Sequence, residues 1–293
     1  MLVHADIHNE ITTAAEVETV IEQLRQGNRE GLNVLEAAAR YDISLLRPYL
    51  RDQNQIIRAD IVRALARSGN PGVIPILIEM LDDESSFVRH KAIIGLTLFH
   101  GSELFRTVPG RINPALLTYA GKFYENSDVA VLLLGDSGNG KLVSPLRDLR
   151  KSARELITPV DSALNRNAIR VERACWMALL KLGDGEARRE LDALLRGDAV
   201  EGRVRAVEGI RYAGRPELAA LLLPLLDDRR VGERPFSSIS FKLLVRDLAA
   251  TTARAVLGRC NFHHAQFTRY TDEEIEYVRA LIRRETGGRT ARP

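Results

Sequence analysis

Apolar residues recur along this chain at intervals of three to four positions, the spacing that places them on one face of a helix. Clear cases lie in residues 56–65 and 200–210, and no segment alternates apolar and polar residues convincingly as a strand does. The pattern therefore predicts a chain made of helices. Their predicted bounds are 14–26, 29–40, 43–51, 55–68, 72–82, 86–99, 112–125, 127–135, 143–157, 168–182, 185–196, 200–212, 216–227, 237–257 and 272–285.

A short phrase rich in glycine and asparagine repeats between these helices. Ser68-Gly69-Asn70 precedes one periodic segment and Ser137-Gly138-Asn139 precedes another, with weaker copies at 182–185 and 213–216. Each copy is typical of a helix end, a tight turn and a new helix. A helix–turn–helix unit that recurs in this way predicts a solenoid, because no pair of helices can bury its apolar face alone. The predicted turn glycines are Gly69, Gly101, Gly138, Gly183, Gly214 and Gly258.

Two long connections interrupt the predicted helices, at residues 101–114 and 227–240. Long loops in compact arrays are often functional. Exposed arginine and aromatic side chains are frequent anchors of protein interfaces, and the second connection combines both, so residues 229–241 form a candidate contact surface. The alternative is a loop whose phenylalanines fold back onto the helices. The residues concerned are Arg229, Arg230, Arg234, Pro235, Phe236 and Phe241.

The composition is that of a folded chain with a large core. It has 293 residues, 45% hydrophobic and 28% charged, with a formal net charge of +3 and only six lysines among 42 basic residues. No stretch approaches the about 20 apolar residues of a membrane span, and the start lacks a basic segment followed by an apolar run. Two cysteines provide no disulfide framework. We therefore expect a cytoplasmic protein that does not bind a membrane.

An aspartate precedes an apolar–arginine pair in three of the predicted helix pairs. With this pattern, residues 43–258 resemble HEAT-like repeats, in particular the short bacterial form named after phycobilisome lyases. The resemblance implies a right-handed α-solenoid of about six or seven helix pairs, whose second helices line a concave surface and whose Asp and Arg side chains pair between adjacent repeats. Residues 1–42 and 259–293 would then cap the two ends. The three cases are Asp52 with Arg58, Asp83 with Arg89, and Asp198 with Arg205.

The segment from Gly135 to Leu142 has the form of a nucleotide-binding loop, because an apolar run leads into Gly-x4-Gly-Lys. In such a loop a Ser or Thr follows the lysine and binds magnesium, whereas Leu142 follows Lys141 here. The repeated Ser-Gly-Asn phrase explains the same residues as a turn between helices. We therefore favour the turn and expect no nucleotide cofactor.

No other cluster of residues predicts chemistry. Cys260, His263 and His264 are too few ligands for a closed zinc site. Cys175, beside Trp176 on an apolar helix, predicts a buried and inert thiol, and no nucleophile elbow occurs. We therefore expect no catalytic residue, no metal and no cofactor, in a chain that is not an enzyme.

The remaining candidates are arginines on the predicted second helices, together with the 229–241 segment. They favour non-catalytic binding of another protein, for which an acidic partner would suit the arginines, in a scaffold or a sequestering, immunity-type inhibitor. The alternatives are a nucleic-acid binder or DNA-repair glycosylase with an Arg-lined concave face, and an enzyme or chaperone similar to phycobilin lyases. A structural alternative is that the arginines pair with nearby Asp and Glu of the same chain. The predicted partner-binding residues are Arg63, Arg67, Arg173, Arg205, Arg211, Arg230, Arg234 and Phe236.

Overall fold

The computed structural model describes residues 13–99, 109–236, 239–259 and 269–287. Helices are the main secondary structure of this part of the chain, which confirms the predicted all-α fold of helix pairs. Among the described residues, no helix combines the length and the apolar character needed to cross a membrane. The α-helices are α1 (Ala14–Arg25), α2 (Leu32–Tyr41), α3 (Gln55–Arg67), α4 (Ile74–Glu79), α5 (Ser86–Leu98), α6 (Pro109–Gly121), α7 (Ser127–Asp136), α8 (Val143–Leu156), α9 (Ala163–Lys181), α10 (Gly185–Arg196), α11 (Val200–Ala213), α12 (Val245–Val256) and α13 (Asp272–Gly287).

Several segments predicted as ordinary helices adopt the tighter 3-10 form. Prolines stand at the start of three of them, where the missing amide proton costs no helical hydrogen bond. Two α-helices also begin earlier than predicted, α6 at Pro109 and α9 at Ala163. The 3-10 helices span Ile43–Leu45, Arg47–Arg51, Pro71–Val73, Met80–Asp82, Gly140–Leu142 and Pro216–Asp227.

The chain folds as two compact units, each with its own apolar core. Unit 1 comprises Met1–Ser137 and Ser152–Val171, and unit 2 comprises Gly138–Lys151 and Glu172–Pro293. The right-handed path of the helices and the capping roles of residues 1–42 and 259–293 stay predictions. Fully buried side chains include Ile57, Ile61, Leu65 and Leu77 in unit 1 and Trp176, Val207 and Leu222 in unit 2.

The Ser-Gly-Asn phrase forms the predicted turn in both places. The serine hydroxyl donates to the carbonyl three residues before it, at 2.7 Å for Ser68 and 2.6 Å for Ser137. The asparagine side-chain oxygen accepts from the amide two residues after it, at 2.9 Å for Asn70 and 3.1 Å for Asn139. The glycines between them have φ of +70° and +67°, a conformation that glycine adopts without steric cost. Residues 135–142 are therefore a turn between helices, as predicted.

Arg58 makes the predicted contact between adjacent repeats. Its Nε and Nη2 donate to the two carboxylate oxygens of Asp83, each at 2.9 Å, and its Nη1 donates to the carbonyl of Asp52 at 2.7 Å. Asp83 in turn accepts from the Ser85 amide at 2.8 Å. One arginine thus ties the start of its own helix to the loop of the next repeat.

The third predicted pair, Asp198 with Arg205, was assigned to the wrong arginine. Arg203 occupies the position of Arg58, since its Nε donates to the carbonyl of Gly197, six residues earlier, at 2.9 Å, and its Nη1 donates to Asp228 at 2.7 Å. Asp228 stands 25 residues after Arg203, as Asp83 does after Arg58. The spacing of seven residues in the sequence was a sign that Arg205 is out of register.

Six residues after Arg89 and six residues after Arg203, a glycine lets neighbouring helices approach closely. At Gly95 in α5, a Cβ atom would lie 2.7 Å from the Cβ atom of Ala66 in α3. At Gly209 in α11, a Cβ atom would lie 2.4 Å from the ring of Trp176 in α9. Real Cβ atoms do not come this close to other carbon atoms, so both contacts depend on glycine.

Residues 227–244 are not the predicted loop followed by the start of a helix. They contain an antiparallel hairpin of β1 (Val231–Phe236) and β2 (Ile239–Leu244), in which Val231 is opposite Leu244, and α12 begins only at Val245. Ile239, Phe241 and Leu243 alternate with polar residues, which favours a strand, but the run is too short to exclude a helix from the sequence alone. Gly232 allows β1 to pass close to α11, because a Cβ atom there would lie 2.5 Å from Val204.

Candidate interaction surface

Helices α3 and α5 of unit 1 are the same structural element repeated at an interval of 31 residues. Their N-cap residues, Asn54 and Ser85, and the arginines four residues later, Arg58 and Arg89, are each separated by that interval. Both helices have 13 residues. Each outward position on α3 therefore has one equivalent on α5. The pairs on the outward face are Ile56 with Phe87, Asp60 with Lys91, Arg63 with Ile94, and Arg67 with Leu98.

On α3 the charged side chains of this face are paired within the protein. Asp60 is only 2% exposed and accepts two hydrogen bonds from Arg29, at 2.6 and 2.7 Å, and Arg63 lies 3.5 Å from it. Arg67 lies 3.4 Å from Glu36. The predicted contact residues Arg63 and Arg67 are thus on the surface, and each already has a carboxylate partner.

On α5 the positions equivalent to Arg63 and Arg67 are apolar and exposed, and Phe87 lies where α3 has the exposed apolar residue Ile56. Phe87, Ile94 and Leu98 have 41%, 39% and 60% of their surface exposed, although large apolar side chains normally lie in the core. The ammonium group of Lys91 lies 4.9 Å from the centre of the Phe87 ring, within the range of a cation–π contact. Within the part of the chain that the structure describes, Lys91 forms no ion pair with a carboxylate. We call Phe87, Lys91, Ile94 and Leu98 the α5 stripe.

In unit 2, the predicted contact residue Arg205 belongs to a partly buried ionic network. Its Nη2 donates to Glu172 at 3.1 Å and to Glu190 at 3.3 Å, and its guanidinium lies 5.0 Å from the centre of the Trp176 ring. Arg150, whose side chain is 9% exposed, binds the same two glutamates at 2.7 Å each. This network joins four helices of the unit, and its arginines are engaged with carboxylates.

Arg173 likewise pairs with Glu208, which is mostly buried, and Arg211 lies in the last turn of α11. Arg230 binds Asp228 through Nε at 2.9 Å and Nη2 at 2.7 Å, and donates to the carbonyl of Asp198 at 2.7 Å. The hydrogen bonds from Arg230, assisted by Arg203, hold the pKa of Asp228 well below its usual range, although burial opposes the shift.

The other predicted contact residues of the hairpin, Arg234 and Phe236, have side chains outside the described residues. Their part in binding stays a prediction. Cys260, His263 and His264, which are too few ligands for a closed zinc site by sequence, lie outside the described residues. Among the residues that the structure describes, no group of three or more His, Cys, Asp or Glu side chains could hold a metal ion. Cys175 is fully buried, and burial raises the pKa of its thiol.

The α5 stripe is absent from the residues that sequence reasoning selected. That reasoning followed charge, and α5 carries its apolar residues on nearly every side, so Phe87, Ile94 and Leu98 were indistinguishable from core residues. The usable signal was the interval of 31 residues between Asp52 and Asp83. Alignment of the two repeats at these aspartates places an apolar residue opposite both Arg63 and Arg67.

Comparison with known proteins supports a HEAT-like repeat. Residues 43–103, which contain α3 and α5, match the family model of HEAT repeats. HEAT repeats generally act as scaffolds for protein interactions. A search of the curated proteins finds no match. Among solved structures, a crystal structure of an engineered protein aligns with a TM-score of 0.46 at 14% identity, over 94% of this chain and 78% of that chain.

Proposed function

We propose that this chain is a non-catalytic protein-binding module that holds its partner through the outward face of α3 and α5. The observation that carries the proposal is the α5 stripe, in which three large apolar side chains are exposed, two of them, Ile94 and Leu98, at positions where the preceding repeat has arginines. Contiguous apolar patches on the surface of folded proteins commonly mark interaction sites. The scaffold and sequestering roles suggested by the sequence are both compatible with such a surface.

The arrangement of the arginines favours a protein partner over nucleic acid. A nucleic-acid binder needs many cations that are available to phosphates, whereas Arg63, Arg173 and Arg205 each contact a carboxylate and have side chains only 31%, 37% and 30% exposed. A glycosylase also needs an aromatic side chain that can stack on a base. The one tryptophan of the chain, Trp176, is fully buried, so such a role would fall to a phenylalanine or a tyrosine.

Partner capture from a lysate of the source organism tests the proposal, with nuclease treatment and washes at two salt concentrations. The full chain is compared with the triple variant Phe87→Ser/Ile94→Ser/Leu98→Ser. A matched control removes three other exposed apolar side chains of unit 1, with Ile157→Ser/Val160→Ser/Leu164→Ser; these are 39%, 67% and 48% exposed.

We expect a protein that is retained by the wild type and by the control variant and is lost from the stripe variant. Retention by all three would contradict the choice of surface. A further variant, Arg234→Ala/Phe236→Ala, then tests the 229–241 segment as the contact surface. Recovery of nucleic acid that disappears at higher salt would instead favour the Arg-lined alternative, because phosphate contacts weaken steeply with salt.

A further inference from the structure

The α5 stripe has the size of a helix-binding site rather than that of a stable dimer interface. An α-helix rises about 1.5 Å per residue, so the stripe from Phe87 to Leu98 runs for roughly 16 Å, or about three turns. With exposed fractions near one half, its apolar side chains offer on the order of 100 Å² each, about 300 Å² together. Stable protein pairs commonly bury about 800 Å² on each partner. A second copy of the chain is therefore a poor occupant for this stripe alone.

The charges around the stripe favour an acidic occupant. Arg29, Arg63, Arg67 and Lys91 lie on or beside this face. Lys91 has no carboxylate partner among the described residues. The two carboxylates that pair with these arginines are less available, since Asp60 is 2% exposed and the Glu36 side chain is 28% exposed, although Glu30, beside Arg29, is exposed. The side chains of Arg29 and Arg67, by contrast, are 55% and 58% exposed. An approaching segment therefore meets apolar side chains beside accessible positive charge.

We propose that the α5 stripe is the docking site for one amphipathic helix of a partner protein, with apolar residues on one side and Asp or Glu beside them. The apolar residues of the partner, spaced at i, i+3 or i+4, and i+7, lie against Phe87, Ile94 and Leu98. Its carboxylates pair with Lys91 and with the exposed Arg67 of α3. This inference rests on the proposed function and specifies the chemistry of the partner.

A displayed library of short helical peptides, about three to five turns long, tests the inference without knowledge of the partner. The library is selected on the full chain and depleted on the Phe87→Ser/Ile94→Ser/Leu98→Ser variant. We expect enriched peptides with helical apolar spacing and net negative charge. Lys91→Glu should weaken their binding by roughly tenfold, and exchange of the facing Glu of the peptide for Lys should restore it. Restored binding would show that Lys91 and the glutamate of the peptide are in direct contact, because a variant that had lost its fold would not be rescued by a change in the peptide.

Other outcomes overturn the inference in distinguishable ways. Enriched peptides that depend on the stripe but are basic, or not helical, contradict the acidic helix and leave the protein-binding function standing. If no peptide depends on the stripe, and the stripe variant also retains the captured partner, both proposals fail.

The chain itself could also supply the occupant, because residues 100–108 directly follow α5 in sequence and contain Leu104 and Phe105. A variant with Leu104→Ser/Phe105→Ser separates the two cases. If this variant binds the selected peptides roughly tenfold more tightly, the segment competes for the stripe. The stripe is then covered by the chain itself and not by a partner helix. Unchanged affinity supports the partner.

Discussion

Removal of the guanidinium of Arg58 should destabilise unit 1 strongly. Arg58 and Asp83 have side chains that are 5% and 7% exposed. The substitution Arg58→Met keeps most of the apolar stem and removes both hydrogen bonds to Asp83, together with those to the carbonyls of Asp52 and Gln53. Asp83 is left as a buried carboxylate without its cation. Breaking a buried ion pair in this way costs about 3–5 kcal/mol of the free energy of unfolding.

A matched control lies on the same helix. Arg63→Met removes a guanidinium that is 31% exposed and lies 3.5 Å from Asp60, which retains Arg29 as a partner. Such a pair contributes about 0–1 kcal/mol. The two substitutions remove the same chemical group within five residues of each other, so the difference between them reports the burial and the geometry of the pair.

The assay is urea unfolding followed by circular dichroism, with hydrogen exchange at the amides of α3 and α5 to confirm that the loss is in unit 1. In thermal unfolding, the expected loss corresponds to about 6–20 °C for a unit of this size. The double variant Arg58→Met/Asp83→Asn should be more stable than the sum of the single effects predicts, because it leaves no unpaired charge. A cost for Arg58→Met no greater than that of Arg63→Met would refute the reasoning.

Three further predictions concern other contacts. Gly209→Ala should destabilise unit 2 by about 1–3 kcal/mol, because a Cβ atom would lie 2.4 Å from the buried Trp176 ring. Gly202→Ala on the same helix should be neutral or slightly stabilising, because the nearest atom is 3.5 Å from its Cβ position. Equal changes of stability for the two variants in calorimetry would contradict this prediction. The pKa of Asp228 is lowered in the folded state. Its contribution to stability is therefore present above its unfolded pKa of about 3.9 and is lost as the pH falls further. Asp228→Asn should make the free energy of unfolding of unit 2 fall less steeply with decreasing pH in this acid range. Tyr124→Leu should lower the free energy of unfolding by about 0.5–2 kcal/mol, because it removes the contact between the tyrosine ring and the Arg89 guanidinium, which lies 4.1 Å from the ring centre. Tyr124→Phe keeps the ring and should lower it much less, as urea unfolding would show.

The sequence was sufficient to predict most of the fold because its signals are local. Helical spacing and the Ser-Gly-Asn turns depend on residues within a few positions of one another, and the structure confirms both. The hairpin at 231–244 was missed because a run of three alternating apolar residues predicts strand and helix about equally well. The assignment of Arg205 was wrong because the motif was applied without a fixed spacing. Such a motif does not determine whether Arg203 or Arg205 is the equivalent of Arg58.

The candidate surface depends on information that is not local. Whether Ile94 lies in the core or in solvent is decided by which side of α5 packs against α3, and the sequence of α5 alone is apolar on too many sides to show it. The contact between Gly95 and Ala66 fixes that side. Once it is fixed, the positions that remain outside follow from the helical period. Comparison of α3 with α5 then shows that the outward apolar residues at Ile94 and Leu98 belong to α5 and are not shared by both repeats.

Helix α5 differs from the preceding repeat in two ways, in the partner of its arginine and in the residues on its outward face. Arg89 donates to the carbonyls of Asp83 and Glu84 at 2.8 Å each, as Arg58 does one repeat earlier, but its guanidinium lies against the Tyr124 ring where Arg58 has a carboxylate. The regular pairing between repeats therefore changes at this helix. On its outward side the same helix exchanges paired charges for exposed apolar residues. Because the tyrosine contact keeps Arg89 engaged, the exposed apolar residues on the outward side of α5 occur without loss of the contacts that order the repeat.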